Sequence, residues 1–173
     1  MIFVAAVLFF VAIVLAVAAR RPSEFRVTRS LVMAAPPEKI FPEVNELRRW
    51  HPWSPWAKLD PDAQVVFNEI PAGTGASMAW SGNNKMGVGR MTVVASEAPS
   101  RVAFRLDFEK PFKGTNLAEF AFQPTNAGTE VRWTMTGTSP FVMKVVGLFL
   151  NCDKLCGDQF EKGLAQLKAV VEG

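Results

Sequence analysis

The segment RRWHPWSPWAKLDPD, residues 48–62, holds the chain's one histidine, three of its five tryptophans and three of its twelve prolines. His51 is the side chain whose unperturbed pKa lies near neutrality, so general acid–base chemistry would begin there. An imidazole in that role needs a partner to orient it. Glu43, Asp60 and Asp62 are near in sequence, but no spacing fixes a contact, and the chain contains no tyrosine to act as a second acid. His51 is therefore read as a surface or hydrogen-bonding residue, and no catalytic residue is assigned.

The remaining reactive side chains point away from catalysis. GVGR at 87–90 lacks the third glycine of a dinucleotide loop and falls between strands. No serine has a G-x-S-x-G setting, and no acidic pair has a spacing that suits glycoside hydrolysis. Cys152 and Cys156 are four apart, on one face of a helical pattern, and are read as buried reduced thiols. That spacing is not C-x-x-C, and a single histidine does not complete a usual ligand set, so no metal and no cofactor are expected.

What the segment does offer is aromatic surface. Trp50, Trp53 and Trp56 recur at a spacing of three with Pro52 and Pro55 between them. A turn or polyproline-like geometry would put the three rings along one side. They would either plug a core or form the rim of a pocket, and an indole, with its apolar body and single donor, suits both.

The surrounding elements must position these rings. Residues 24–33 alternate Phe25, Val27, Arg29, Leu31 and Met33 against a more polar set, which reads as a strand. After Pro36 and Pro37, the positions Ile40, Phe41, Val44 and Leu47 make a short amphipathic helix that Pro42 limits or breaks, and a second helical turn can follow before Pro52. Six short runs then follow, at 63–70, 75–81, 89–98, 101–109, 116–124 and 129–137, separated by Gly, Pro and Asn. This is the pattern of an antiparallel meander, seven strands with the first. Alternation turns Val102, Phe104, Leu106 and Phe108 inward, with Phe120, Phe122, Val131, Trp133 and Met135, and with Met78, Trp80, Met91 and Val93. The last thirty residues repeat apolar positions at three and four, including Val145, Leu148, Phe149, Cys152, Cys156 and Phe160. They predict one long amphipathic helix of up to roughly 45 Å, bent or closely approached at Gly147, Gly157 and Gly163.

The N-terminus is of another kind. Ile2 to Ala19 are eighteen consecutive apolar residues followed by Arg20 and Arg21. As a helix they rise roughly 27 Å, close to the ~30 Å of a bilayer's hydrocarbon core. A cleaved signal would carry its positive charge before the apolar run, so a single-pass transmembrane anchor is expected over residues 1–21. Residues 22–173 are then the folded domain, on the cytoplasmic side by the positive-inside tendency. The formal charge of +3 is mild, and no dense basic run carries aromatics, which argues against a nucleic-acid surface. Arg20, Arg21, Arg26 and Arg29 are expected to face lipid headgroups.

The element order β-α-α-β6-α, with FPEVNELRRWHPWSPWAKLDPD and GLFLNCDKLCGDQFEKGLAQLK, resembles the START-like superfamily called SRPBCC, in its polyketide cyclase/dehydrase and lipid-transport branch. The resemblance covers about residues 24–172. It implies an α+β helix-grip fold, a seven-stranded antiparallel sheet curled around a long C-terminal helix, with an apolar cavity between them. On that reading Trp50, Trp53 and Trp56 form the mouth, and Met78, Trp80, Met91, Phe104, Phe120, Trp133, Met135 and Phe149 line the cavity. The expected function is binding or transport of a hydrophobic small molecule or lipid at the membrane. The alternatives are a cyclase- or dehydratase-like enzyme, for which few converging polar groups are present, and a noncatalytic protein-interaction module.

Overall fold

The structure, a computed structural model, describes residues 2–148 and 151–173. Helix α1 (Ile2–Arg20) leads into β1 (Glu24–Met33), α2 (Pro37–Asn45) and a 3-10 turn at Leu47–Trp50. The meander follows as β2 (Gln64–Phe67), β3 (Ser77–Ser81), β4 (Val88–Glu97), β5 (Arg101–Lys110), β6 (Gly114–Thr125) and β7 (Gly128–Thr138). Two helices close the chain, α3 (Phe141–Val146) and α4 (Cys152–Glu172). The sheet order is β1-β7-β6-β5-β4-β3-β2, so every neighbour after β1 is reached by a hairpin, and β1 returns to pair with the last strand.

Register turns sequence alternation into one apolar face. Val93, Phe104, Ala118, Met135 and Val27 lie opposite one another across five strands, and Val102, Phe120, Trp133 and Arg29 form the next row. Residues directly across an antiparallel pair share a face, so this face is the inner one. The solvent face carries Arg101, Arg105 and Asp107, as the alternation predicts: Arg101 bonds Glu97 and Glu119, and Arg105 bonds Asp107. Helix α2 starts with Pro37 in its first turn and buries Ile40, Phe41 and Val44. It runs through Pro42 to Asn45.

Arg29 is the exception on the inner face, and it corrects the expectation that it meets lipid headgroups. In register with Trp133, it reaches over α4, where Nε donates to Glu161 Oε1 at 2.8 Å and Nη2 to Asp153 Oδ2 at 3.1 Å. Gly157 lies beneath it, and a Cβ there would run into the guanidinium. Both hydrogen-bonded carboxylates hold the Arg29 guanidinium above its usual pKa, Asp153 most strongly.

The single long C-terminal helix is also corrected. Helix α4 has 21 residues, about 31 Å of rise rather than 45 Å. Gly147 ends α3, its N–H donating to Met143 O at 2.9 Å, and Asn151 Oδ1 starts α4 by accepting from Lys154 N at 2.9 Å. The apolar repeat carried across this break because α3 has its own apolar neighbour: it packs on α1. Arg21 Nη1 donates to Gly147 O at 2.7 Å, and Lys144 Nζ donates to Arg21 O at 2.9 Å.

Helix α1 leaves apolar side chains exposed on all sides, among them Phe3 at 81%, Leu8 at 64% and Phe10 at 61%, with Ala18 buried. Its 19 residues rise about 28 Å. Among the described residues no helix is long and apolar enough to cross a membrane, so the expected transmembrane span is not established by the fold.

Candidate functional site

The inner face of the sheet divides into a closed half and an open half. In the closed half, aromatic rings meet ring to ring. Trp133 stacks on Phe160 of α4 at 4.1 Å with 2° between the planes, and Phe120 lies 4.5 Å from Trp133 on its own sheet. Trp50 approaches Trp53 at 4.5 Å and meets Phe104 at 5.3 Å edge to face. Both indoles are satisfied by α2, Trp50 Nε1 donating to Val44 O at 2.8 Å and Trp53 Nε1 to Glu43 O at 3.2 Å. Trp56 is half-buried and covers Trp133 at 5.5 Å and Phe160 at 6.3 Å. The tryptophan–proline segment therefore sits over the closed half as packed core. Trp133 Nε1 is buried there without a hydrogen-bond partner, a cost of about 1–3 kcal/mol that the ring packing must outweigh.

The open half is the row beyond Met135. Phe67, Met78, Met91, Leu106, Asn116, Gly137 and Phe25 lie opposite one another across all seven strands. Beside them, Trp80 pairs with Gly89 and Gly89 with Phe108. Trp80 and Phe108 meet edge to face at 5.9 Å. Gly89 makes this approach possible, since a Cβ would stand 2.6 Å from Trp80 Cζ2. Except for Met91, the apolar side chains of this half are only half-buried. The first turns of α4 lie over β1 at Arg29, through Asp153 and Glu161. The polar side chain within it is Asn116, whose Nδ2 lies 3.9 Å from Met135 Sδ.

The sequence-derived set thus falls into two groups. Trp50, Trp53, Met91, Phe104, Phe120 and Trp133 are buried, whereas Met78, Trp80 and Met135 are half-buried in or beside the open row. Phe149 lies outside the described residues. Phe25, Phe67, Leu106, Phe108 and Asn116 complete the open half. Leu106 and Phe108 share the alternation that selected Phe104, and the signal that distinguishes them is the glycine or asparagine facing each one. His51 is exposed. Among the described residues no cluster of His, Cys, Asp or Glu is arranged to hold a metal.

At the β1 end the open row reaches, through Phe25, a cleft of about 570 Å³ between the segment that follows α1 (Arg21 and Pro22), the start of β1, α3 and the start of α4. Phe25, Pro22, Met143 and Leu148 supply its apolar wall, and Arg21, Lys144, Glu24 and Asp153 its charged one.

Residues 24–172 match the family described as polyketide cyclase / dehydrase and lipid transport. The chain belongs to that family. Solved structures share its fold. Protein CV1439 from Chromobacterium violaceum is 17% identical with a TM-score of 0.61, over 88% of this chain and 99% of that one. The Aha1 dimer from Colwellia psychrerythraea is 16% identical with a TM-score of 0.62, over 86% of this chain and 96% of that one. The di-domain ARO/CYC StfQ of the steffimycin biosynthetic pathway is 13% identical with a TM-score of 0.66, over 89% of this chain and 52% of that one. At such identities the likeness is one of fold. No curated protein matches the sequence. Membership in the polyketide cyclase and lipid-transport family agrees with a hydrophobic-ligand or cyclase/dehydrase type of role, and the site itself must choose between them.

Proposed function

We propose that this family member binds a hydrophobic small molecule or lipid against the open half of its sheet, and that α1 holds it at a membrane. The observation that carries the reading is the row of half-buried apolar side chains from Phe67 to Phe25, whose last member also lines the cleft that follows α1. Water against such a surface is costly, about 25 cal/mol for each Å² that a guest would cover. Methionine at positions 78, 91 and 135 suits guests of varied shape.

The membrane part rests on α1. A helix that is apolar all round is stable when buried in protein or in lipid, and this one is exposed along most of its length. Lipid is the medium that would cover it, with Arg20 and Arg21 at the level of the headgroups. An anchored domain would take an apolar guest from where that guest is concentrated.

Solvent extraction of the purified full chain, followed by mass spectrometry, tests the reading together with titration of a fluorescent fatty acid. Bound apolar material and saturable probe binding are expected, with Leu106→Trp weakening the probe at least about tenfold by filling the row. An empty extract and a probe affinity unmoved by Leu106→Trp would refute it.

A further inference from the structure

The cleft beside α1 has a charge arrangement that a purely apolar guest does not use. Arg21 and Lys144 line it, and the hydrogen bonds they make go to neutral carbonyls: Arg21 Nη1 to Gly147 O and Lys144 Nζ to Arg21 O. Neither has an acidic partner among the described residues. A guanidinium has five N–H donors and an ammonium three, so both keep donors to spare. Of the two acids in the lining, Asp153 is committed to Arg29 at 3.1 Å, and among the described residues Glu24 has no side-chain hydrogen bond or ion pair. Two cations and one carboxylate, none paired with an opposite charge among the described residues, thus share the lining with the apolar Phe25, Pro22, Met143 and Leu148.

A phosphodiester fits such a wall. Arginine grips phosphate oxygens with a planar fork, and lysine adds a point charge. The position of the cleft selects the source of the phosphate. Arg21 stands two residues past the apolar run of α1, after Arg20, which is the depth of the headgroups once α1 lies in a bilayer, and Phe25 belongs to both the cleft and the open row. We propose that this cleft holds the phosphodiester headgroup of an anionic membrane phospholipid, with Arg21 and Lys144 as its ligands. The inference rests on the membrane-bound reading of α1 and names the lipid chemistry that the site prefers. Glu24 sets the limit of that preference, because it opposes headgroups of higher negative charge.

Native mass spectrometry of the full chain in detergent, titrated with phosphatidylglycerol or phosphatidylcholine, tests this. Phosphatidylglycerol adducts should exceed phosphatidylcholine adducts about fivefold, and Arg21→Gln or Lys144→Gln should each lower them about fivefold. Glu24→Gln should raise them, a gain that misfolding cannot produce, and Lys58→Gln, at an exposed residue outside the cleft lining, should leave them unchanged. Equal retention of the two lipids, or selectivity that survives Arg21→Gln with Lys144→Gln, would overturn the proposal. Millimolar inorganic phosphate that displaces phosphatidylglycerol completely would also overturn it, by making free phosphate the ligand. Extraction of membranes with alkaline carbonate reports separately on α1: release of the chain would sink the tether, whereas the opposite signs at positions 24 and 21 report on the cleft.

Discussion

Phe160→Ala separates a packed closed half from a hollow one. The Phe160 ring is 1% exposed, stacked on Trp133 at 4.1 Å and edge-on to Trp56 at 6.3 Å. Removing a ring so enclosed forfeits its transfer free energy and leaves a cavity that rigid neighbours fill poorly, a loss of about 4 kcal/mol. For a chain of this size that is a fall of roughly 8–16 °C in Tm. The measurement is thermal and urea unfolding of the full chain in mild detergent, followed by near-ultraviolet circular dichroism, which reads the tryptophan packing directly. Leu106→Ala in the open half is the comparison. Its side chain is half-buried, so about half that loss is expected, along with weaker binding of an apolar probe. A loss below about 1.5 kcal/mol for Phe160→Ala, matched or exceeded by Leu106→Ala, would refute the division of the inner face.

Three further outcomes follow from particular contacts. Thr115 Oγ1 and Arg105 Nε each donate to Asp107 at 2.8 Å and hold its carboxyl below the ordinary range, the threonine most strongly. Asp107→Asn should therefore cost up to about 1 kcal/mol at neutral pH, and urea titrations should show that difference shrinking as pH falls below the ordinary aspartate range of about 4. Gly157→Ala should bring little gain in the natural chain, since its Cβ displaces the Arg29 guanidinium; with Arg29→Ala already in place it should stabilise α4 by about 1 kcal/mol, read as a double-mutant cycle in chemical denaturation. At Gly89 a Cβ would stand 2.6 Å from Trp80 Cζ2 and 2.7 Å from Asp107 O, so Gly89→Ala should destabilise by about 1–3 kcal/mol and weaken binding of the apolar probe, measured by titration.

The strands were legible because each has one buried and one wet face, which writes a period of two into the residues. All seven lie within a few residues of their expected places, and β1 matches Glu24–Met33 throughout. The interruption between α3 and α4 was not legible from periodicity, because Val145 and Phe160 are both apolar at helical spacing yet belong to different helices, one packed on α1 and one on the sheet. Its markers were local: Gly147 at the end of α3 and Asn151 before α4. The inward course of Arg29 was hidden for a related reason. Alternation says which face a side chain leaves from, and only the acids of α4 say how a charge survives there. At the site, alternation found the inner face but could not say how far α4 covers it. That depends on where α4 begins and on which strand it crosses, and both are tertiary facts.

The two rims of the sheet differ in a way that bears on self-association. Strand β1 is ten residues long and pairs on one side with β7. Past its end, Glu172 Oε1 accepts from Ala34 N at 2.6 Å, and Lys168 Nζ donates to Val32 O at 3.0 Å, so two charged residues of the last helix occupy backbone groups that another chain would otherwise pair with. The opposite rim, β2, is four residues long. A rim guarded at its end on one side and a short one on the other offer little template for strand-by-strand pairing between copies.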